Sequence, residues 1–271
     1  MTQMQDKQTV KVNGVDVAYR LDGPKDGRVL MLANSLLANG SMWDWNVPAL
    51  ADRYRVLRYD KQGHGSSSLG PGPYSIAQLA DDAIGLLDAL GIEKAHFMGL
   101  SIGGMIGQQL GARYPERIYS LSLCNTASEM PPRSMWEERF EIARTQGIAG
   151  LLDGTIKRWF TAPFLDRAPQ DVEKVRQMIL GTNANGYMAC AGAVRDMAQS
   201  TMLLKIKTPT LVLAGRYDPA CTVEQSIVLH RLIDNSQMVI IEDAAHLSNI
   251  EQPDRFNQAV RDFIDSVDNA L

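Results

Sequence analysis

Cysteine is scarce in this chain of 271 residues: Cys124, Cys190 and Cys221 are odd in number and far apart. No C-x-x-C occurs, so the sequence offers neither a zinc site nor a disulfide framework, and reduced thiols are expected. An excess of charge of one sign is also missing. The formal net charge is −4, with Lys and Arg scattered, which provides no basic face for nucleic acid. No apolar run approaches the ~20 residues that span a bilayer, and the polar start Met1-Thr2-Gln3-Met4-Gln5 lacks the apolar core of a secretory leader. A cytoplasmic protein with no nucleic-acid or membrane partner is expected, and its oligomeric state is not legible. The composition itself is that of an ordinary globular protein, 45% hydrophobic and 21% charged. That is apolar material enough for one large α/β domain with an insertion.

Strand and helix patterns alternate along the chain. Residues 9–12 and 15–21 alternate around Asn13-Gly14, a hairpin signal. Apolar runs at 29–33, 54–59, 95–100, 118–124, 210–215 and 238–241 read as strands of a buried parallel sheet. Between them, Ser75 heads a helical pattern through Ile76, Leu79, Ala83 and Leu86, stopped by Gly91. Phe256, Val260, Phe263 and Ile264 share one face of a last helix that starts at Pro253. The alternation predicts an α/β fold with a mostly parallel, doubly wound sheet edged by an antiparallel N-terminal hairpin. From 127 to 204 the strand signal vanishes. Ser134-Met135-Trp136-Glu137 reads as a capping box opening a helix that Gly147 stops, and further helices are expected near 148–160, 170–180 and 184–197. The expected organisation is a core of residues 1–126 and 205–271 with a helical cap, 127–204, at the carboxyl ends of the strands, where ligands bind.

The chemistry is concentrated at Gly99-Leu100-Ser101-Ile102-Gly103. A strand that turns into a helix within one residue strains the central backbone and lifts its side chain clear of the sheet. The flanking glycines permit the close approach of neighbouring backbone that this turn requires. Ser101 is therefore the candidate nucleophile, and it needs a base and an acid. Only four histidines exist. His64 sits in a glycine-flanked loop and reads as a polar anchor, His96 lies within a strand as a core residue, and His230 belongs to a charged helix and is expected to be exposed. His246 follows the last strand at the same end of the sheet as Ser101. For the acid, Asp218 follows Gly215 at a strand end, whereas Asp60 precedes the serine and Asp243 is too close to His246 along the chain to face its ring. The β-strand ending at Cys124 is followed by Asn125 and offers no carboxylate. Ser101, Asp218, His246 is the chain order of the hydrolases that use this elbow. The oxyanion would be held by the backbone N–H of Ile102 and by one from the loop after the third strand, at Leu36.

The elbow, Asp60-x-x-Gly63-His64-Gly65-x-Ser67, the Gly215-x-x-Asp218 turn and the terminal His246 together resemble the α/β-hydrolase superfamily over nearly the whole chain. Further stretches resemble the 3-oxoadipate enol-lactonases. These are Asn34-Ser35-Leu36 with Met42-Trp43-Asp44, Arg158-Trp159-Phe160-Thr161, Gly186-Tyr187 with Ala189-Cys190-Ala191, and His246-Leu247-Ser248-Asn249-Ile250-Glu251. The resemblance implies hydrolysis of a small ester or lactone through an acyl-enzyme, with no cofactor and no metal. The implied substrate is a five-membered enol-lactone bearing a carboxymethyl group, from aromatic-compound catabolism. In one place the chain departs from the family: Leu37 stands where the oxyanion loop carries glycine. Within the cap, Trp136 is implied as an apolar wall. Arg133, Arg139 and Arg158 are candidates for the substrate carboxylate, which a guanidinium binds in bidentate fashion. Each also has an ordinary reading, helix packing for the tryptophan and surface ion pairs for the arginines. A general carboxylesterase or perhydrolase would use the same triad, and a ligand receptor on this fold would hold a small molecule without turning it over.

Overall fold

Asn13 and Gly14, both at positive φ, make the tight turn between β1 (Gln8–Val12) and β2 (Val15–Asp22), as a two-residue hairpin loop requires. This computed structural model describes residues 6–270. Six further strands follow: β3 (Val29–Ala33), β4 (Arg55–Tyr59), β5 (Ala95–Leu100), β6 (Ile118–Cys124), β7 (Thr210–Gly215) and β8 (Ser236–Ile241). They form one sheet in the order β1-β2-β4-β3-β5-β6-β7-β8. β2 pairs antiparallel with β1 and β4, and every later pairing is parallel. Every residue of β3, β5 and β7 is buried, which is why these strands read as continuous apolar runs rather than alternating ones. The strand order reverses at β3, which β4 flanks on one side and β5 on the other. Such a reversal opens a crevice beyond the strands' carboxyl ends.

The helices are α1 (Val47–Leu50), α2 (Ile76–Ala89), α3 (Ile102–Arg113), α4 (Arg133–Trp159), α5 (Ala162–Arg167), α6 (Pro169–Leu180), α7 (Ala184–Asp196), α8 (Ser200–Leu203), α9 (Val223–Leu232), α10 (Ser248–Glu251) and α11 (Pro253–Asp268). Ser75 caps α2, its hydroxyl accepting from Gln78 N. Helices α4–α8 fill the connection from β6 to β7. Trp136, Phe140, Ile156, Val175 and Tyr187 from these helices belong to the same apolar core as Leu32 and Phe97 of the sheet.

Several local expectations are corrected. Ser134 forms no capping box: Pro132, in an extended conformation, takes the cap position, and α4 starts at Arg133. The side chain of Glu137 is bonded instead to Arg195 of α7 at 2.7 Å, so a tertiary ion pair has displaced the local cap. Gly147, at φ 67° and ψ −168°, does break the helical backbone as expected. Strand β8 begins two residues before the apolar run, at Ser236, because the ladder with β7 extends through Thr210 and Ser236. The short helices α5 and α8 had no periodicity to announce them. His230 is half-buried rather than exposed, its Nδ1 2.8 Å from Ser236 Oγ.

Candidate active site

Ser101 joins β5 to α3 at φ 61°, ψ −121°, a region that costs a non-glycine residue about 1–3 kcal/mol. Its surroundings hold it there. Ser101 N donates to Cys124 O at 3.0 Å. Its carbonyl accepts from Met105 N at 3.0 Å and from Thr126 Oγ1 at 2.7 Å. The glycines work by close approach: a Cβ on Gly99 would lie 2.1 Å from Gly103 O, and one on Gly103 would lie 2.2 Å from Ala33 O. The first turn of α3 thus lies directly against the backbone of β5 and β3. Ile102 opens that helix, where the first amides have no intrahelical acceptor.

His246 is buried in the loop after β8, and its Nδ1 is 2.8 Å from Asp218 Oδ2. Asp218 is itself fixed by three more donors. Asn125 Nδ2 reaches Oδ2 at 3.0 Å, while Ala220 N and Cys221 N reach Oδ1 at 2.8 and 3.0 Å. The loop of Asp218 approaches that of His246 because Gly215 lacks a Cβ, which would sit 2.1 Å from Ala245 O. Sequence reasoning missed Asn125, which also donates to Ala245 O and accepts from Ser248 Oγ. Its signal in the sequence is its place at the end of β6, at the same rim as Ser101 and Asp218. Glu251 is a second omission. It accepts from Thr161 N and Oγ1 and from Ala245 N, tying the end of α4 to the histidine loop. Leu247 N reinforces the tie by donating to Trp159 O.

Ser101 and His246 line one cavity of about 310 Å³, at the small end of the range for ligand sites. No hydrogen bond joins their side chains among the described residues, and such contacts are often long before substrate binds. Ser35, Leu36 and Leu37 line the same cavity. Ala38 N donates to Ser35 O, closing a turn with Leu37 at φ 64°, a position that favours glycine. Leu37 N is occupied, donating to His64 Nε2 at 3.3 Å. His64 is thus the loop anchor expected. Leu37 is held in this conformation by its neighbours: its side chain is buried in the apolar core and Thr182 Oγ1 donates to its carbonyl.

From the inserted helices, Trp136, Arg139, Arg158 and Trp159 complete the lining. Trp136 is buried and donates to Met130 O. Arg139 Nε donates to Tyr187 Oη at 2.9 Å. Arg158 has no ion-pair partner among the described residues. Burial, and then the like charge of Arg139, lower its pKa. Arg133 does not belong here: it is exposed, paired with Asp196 at 2.6 Å, and outside the cavity lining.

Asp218, Cys221 and His246 bring three possible ligand atoms within 4.8 Å. Their bonding does not suit a cation. The Asp218 oxygens already accept from four donors, and burial holds the Cys221 thiol well above its ordinary pKa, so the thiolate a metal needs is disfavoured.

The family model described as alpha/beta hydrolase fold matches residues 28–253. The chain belongs to the α/β-hydrolase family. It is 38% identical over 254 residues to 3-oxoadipate enol-lactonase 2 of Acinetobacter baylyi, covering 94% of this chain and 95% of that relative. Among solved structures, the enol-lactonase from Burkholderia xenovorans LB400 superposes with a TM-score of 0.93 at 39% identity, over 95% of this chain and 99% of that one. A malate-bound thermophilic esterase from Thermogutta terrifontis is similar at TM-score 0.90 and 29% identity, over 97% of this chain and 99% of that one. In this α/β-hydrolase, no helix among the described residues is long and apolar enough to cross a membrane.

Proposed function

We propose that this α/β-hydrolase is a serine hydrolase that opens a small enol-lactone carrying a free carboxylate, 3-oxoadipate enol-lactone being the substrate that fits best. The observation that carries the chemistry is the imidazole of His246, fixed by Asp218 at 2.8 Å, in the cavity onto which the strained Ser101 opens. Asp218 binds Nδ1–H and so leaves Nε2 as the basic nitrogen. His246 draws the Ser101 proton as Oγ attacks the lactone carbonyl. The oxyanion is received by the Ile102 and Leu36 amides, each worth about 3 kcal/mol in the transition state. The ring C–O bond then breaks, and the enol oxygen leaves with a proton from His246 and tautomerises to the ketone. Water activated by His246 cleaves the resulting acyl-serine to the carboxylic acid.

Residues 127–204 act as the cap over this reaction. Trp136 and Trp159 supply its apolar wall; the Trp159 ring centroid lies 6.2 Å from that of His246. Arg158, assisted by Arg139, receives the substrate carboxylate. A half-buried guanidinium with no counter-ion among the described residues favours an anionic substrate over the neutral esters of a general esterase. The similarity to proteins named as enol-lactonases supports the same choice. The test is turnover of synthetic enol-lactone beside a neutral aryl acetate. A higher kcat/KM on the lactone, abolished by Ser101→Ala, is expected. Equal efficiency on both esters would point to a general esterase, and near wild-type turnover by Ser101→Ala would remove the nucleophile.

A further inference from the structure

Lys61 lies just beyond β4 and is 4% exposed, yet among the described residues its ammonium is hydrogen-bonded to no carboxylate. The neighbouring Asp60 is engaged elsewhere, accepting from Gly40 N at 2.7 Å and Ser66 N at 2.9 Å and pairing with Lys7 at 3.2 Å. Lys61 Nζ instead donates to Ser35 O at 2.7 Å and to Ala38 O at 3.4 Å, the two carbonyls that bracket the turn over the cavity. A desolvated ammonium is costly to keep unless something uses it.

We infer that Lys61 is a positioning residue of the oxyanion turn, holding and polarising the Ser35–Leu36 peptide so that the Leu36 N–H binds the anionic oxygen of the transition state. The inference rests on the serine-hydrolase reading above. The Ser35 carbonyl and the Leu36 N–H are two ends of one conjugated peptide unit. A cation bonded to the oxygen end draws electron density away from the nitrogen end, and hydrogen bonds in such a chain strengthen one another. The Leu36 amide is the one the turn has left to offer, because that of Leu37 is taken by His64. Away from bulk water the charge is also weakly screened.

The groups facing Lys61 define its titration. Cys190, from α7, remains a thiol because burial raises its pKa to about 12. His64 is neutral, its pKa held well below the ordinary value by burial and then by Lys61 itself. Asp60 is the nearby anion. Burial outweighs these influences and lowers the Lys61 pKa to about 8. The ammonium is therefore charged at neutral pH and lost as pH rises through about 8, and the Leu36 amide loses its polarisation with it.

The experiment compares wild type, Lys61→Met and Lys61→Arg on an aryl acetate and on the enol-lactone, with spontaneous hydrolysis subtracted. Lys61→Met should lower kcat about tenfold at neutral pH, ~1.4 kcal/mol, with KM nearly unchanged. Wild-type kcat should fall as pH rises through about 8. The fall should be absent in Lys61→Met and displaced upward in Lys61→Arg, whose guanidinium stays charged. Thermal stability of Lys61→Met at pH 7 should not decrease, since an uncharged side chain carries no desolvation penalty. Unchanged kcat in Lys61→Met overturns the inference. So does loss of kcat together with melting temperature under an unaltered pH profile, which describes a merely structural lysine. If the methionine variant does not fold, the wild-type and arginine profiles decide: identical alkaline limbs overturn the proposal. Ser101→Ala is the control. If it stays active the underlying reading fails, whereas an inactive Ser101→Ala beside a fully active Lys61→Met fails this inference alone.

Discussion

The two walls of the cavity differ in how their polar groups are satisfied. On the sheet side, Asp218 accepts from Asn125, Ala220, Cys221 and His246, and Asn125 is in turn bonded to Ala245 and Ser248. On the side of the inserted helices, Arg158 is half-buried with no counter-ion among the described residues, beside an Arg139 that donates to the Tyr187 hydroxyl and lies over its ring. A carboxylate as fully bonded as Asp218 is preorganised and needs little rearrangement when the site reacts. A wall with an unpaired cation gains its partner only when an anion enters. Under the proposed function the contrast divides the labour: rigid chemistry below, recognition above.

Substitutions on each side sharpen that division. The largest effect is expected for Ser101→Ala, a fall in kcat of ~10⁴ to 10⁶, read by steady-state turnover with KM little changed. Asp218→Asn should cost about 10⁴ in kcat, because an amide no longer fixes the tautomer or supports the imidazolium. If Asp218→Asn is harmless while Asp243→Asn is not, the acid has been misassigned. On the side of the inserted helices, Arg158→Met should lower kcat/KM for the carboxylate-bearing lactone about 100-fold, chiefly through KM, as loss of a charged hydrogen-bonded partner does. Its efficiency on a neutral aryl acetate should stay nearly constant. An equal loss on both substrates would erase the distinction between the walls. The smallest effect is expected for Asn125→Ala, about tenfold in kcat on either ester, the cost of one hydrogen bond to a charged group.

The sheet and the lower wall are legible in the sequence because each depends on local pattern. The fully buried strands β3, β5 and β7 are continuous apolar runs, and the backbone contacts of Gly99 and Gly103 leave a glycine spacing that can be read directly. Ser101, Asp218 and His246 all follow strands, so topology brings them to one rim. The rest depends on contacts distant in sequence. Ser134 and Glu137 form a good local capping pattern, but an extended Pro132 and an ion pair from Arg195 decide otherwise. Arg133, Arg139 and Arg158 look alike as residues, and only packing separates the exposed, paired Arg133 from the two in the cavity. Lys61 leaves no trace in side-chain pattern because its partners are backbone carbonyls, and Asn125 because its side-chain partners, Asp218 and Ser248, come from loops distant in sequence. Leu37 contradicts the glycine its turn prefers, and its backbone is held there by bonds to His64 and Thr182, both distant in sequence.

The most direct test of the account is covalent labelling with an organophosphonate, followed by peptide mass spectrometry and residual turnover of enol-lactone. The account predicts one adduct, on Ser101, with turnover lost in proportion to labelling and both reactions suppressed in Asp218→Asn. Complete modification of Ser101 with turnover intact, or inactivation through an adduct on another residue, would contradict it.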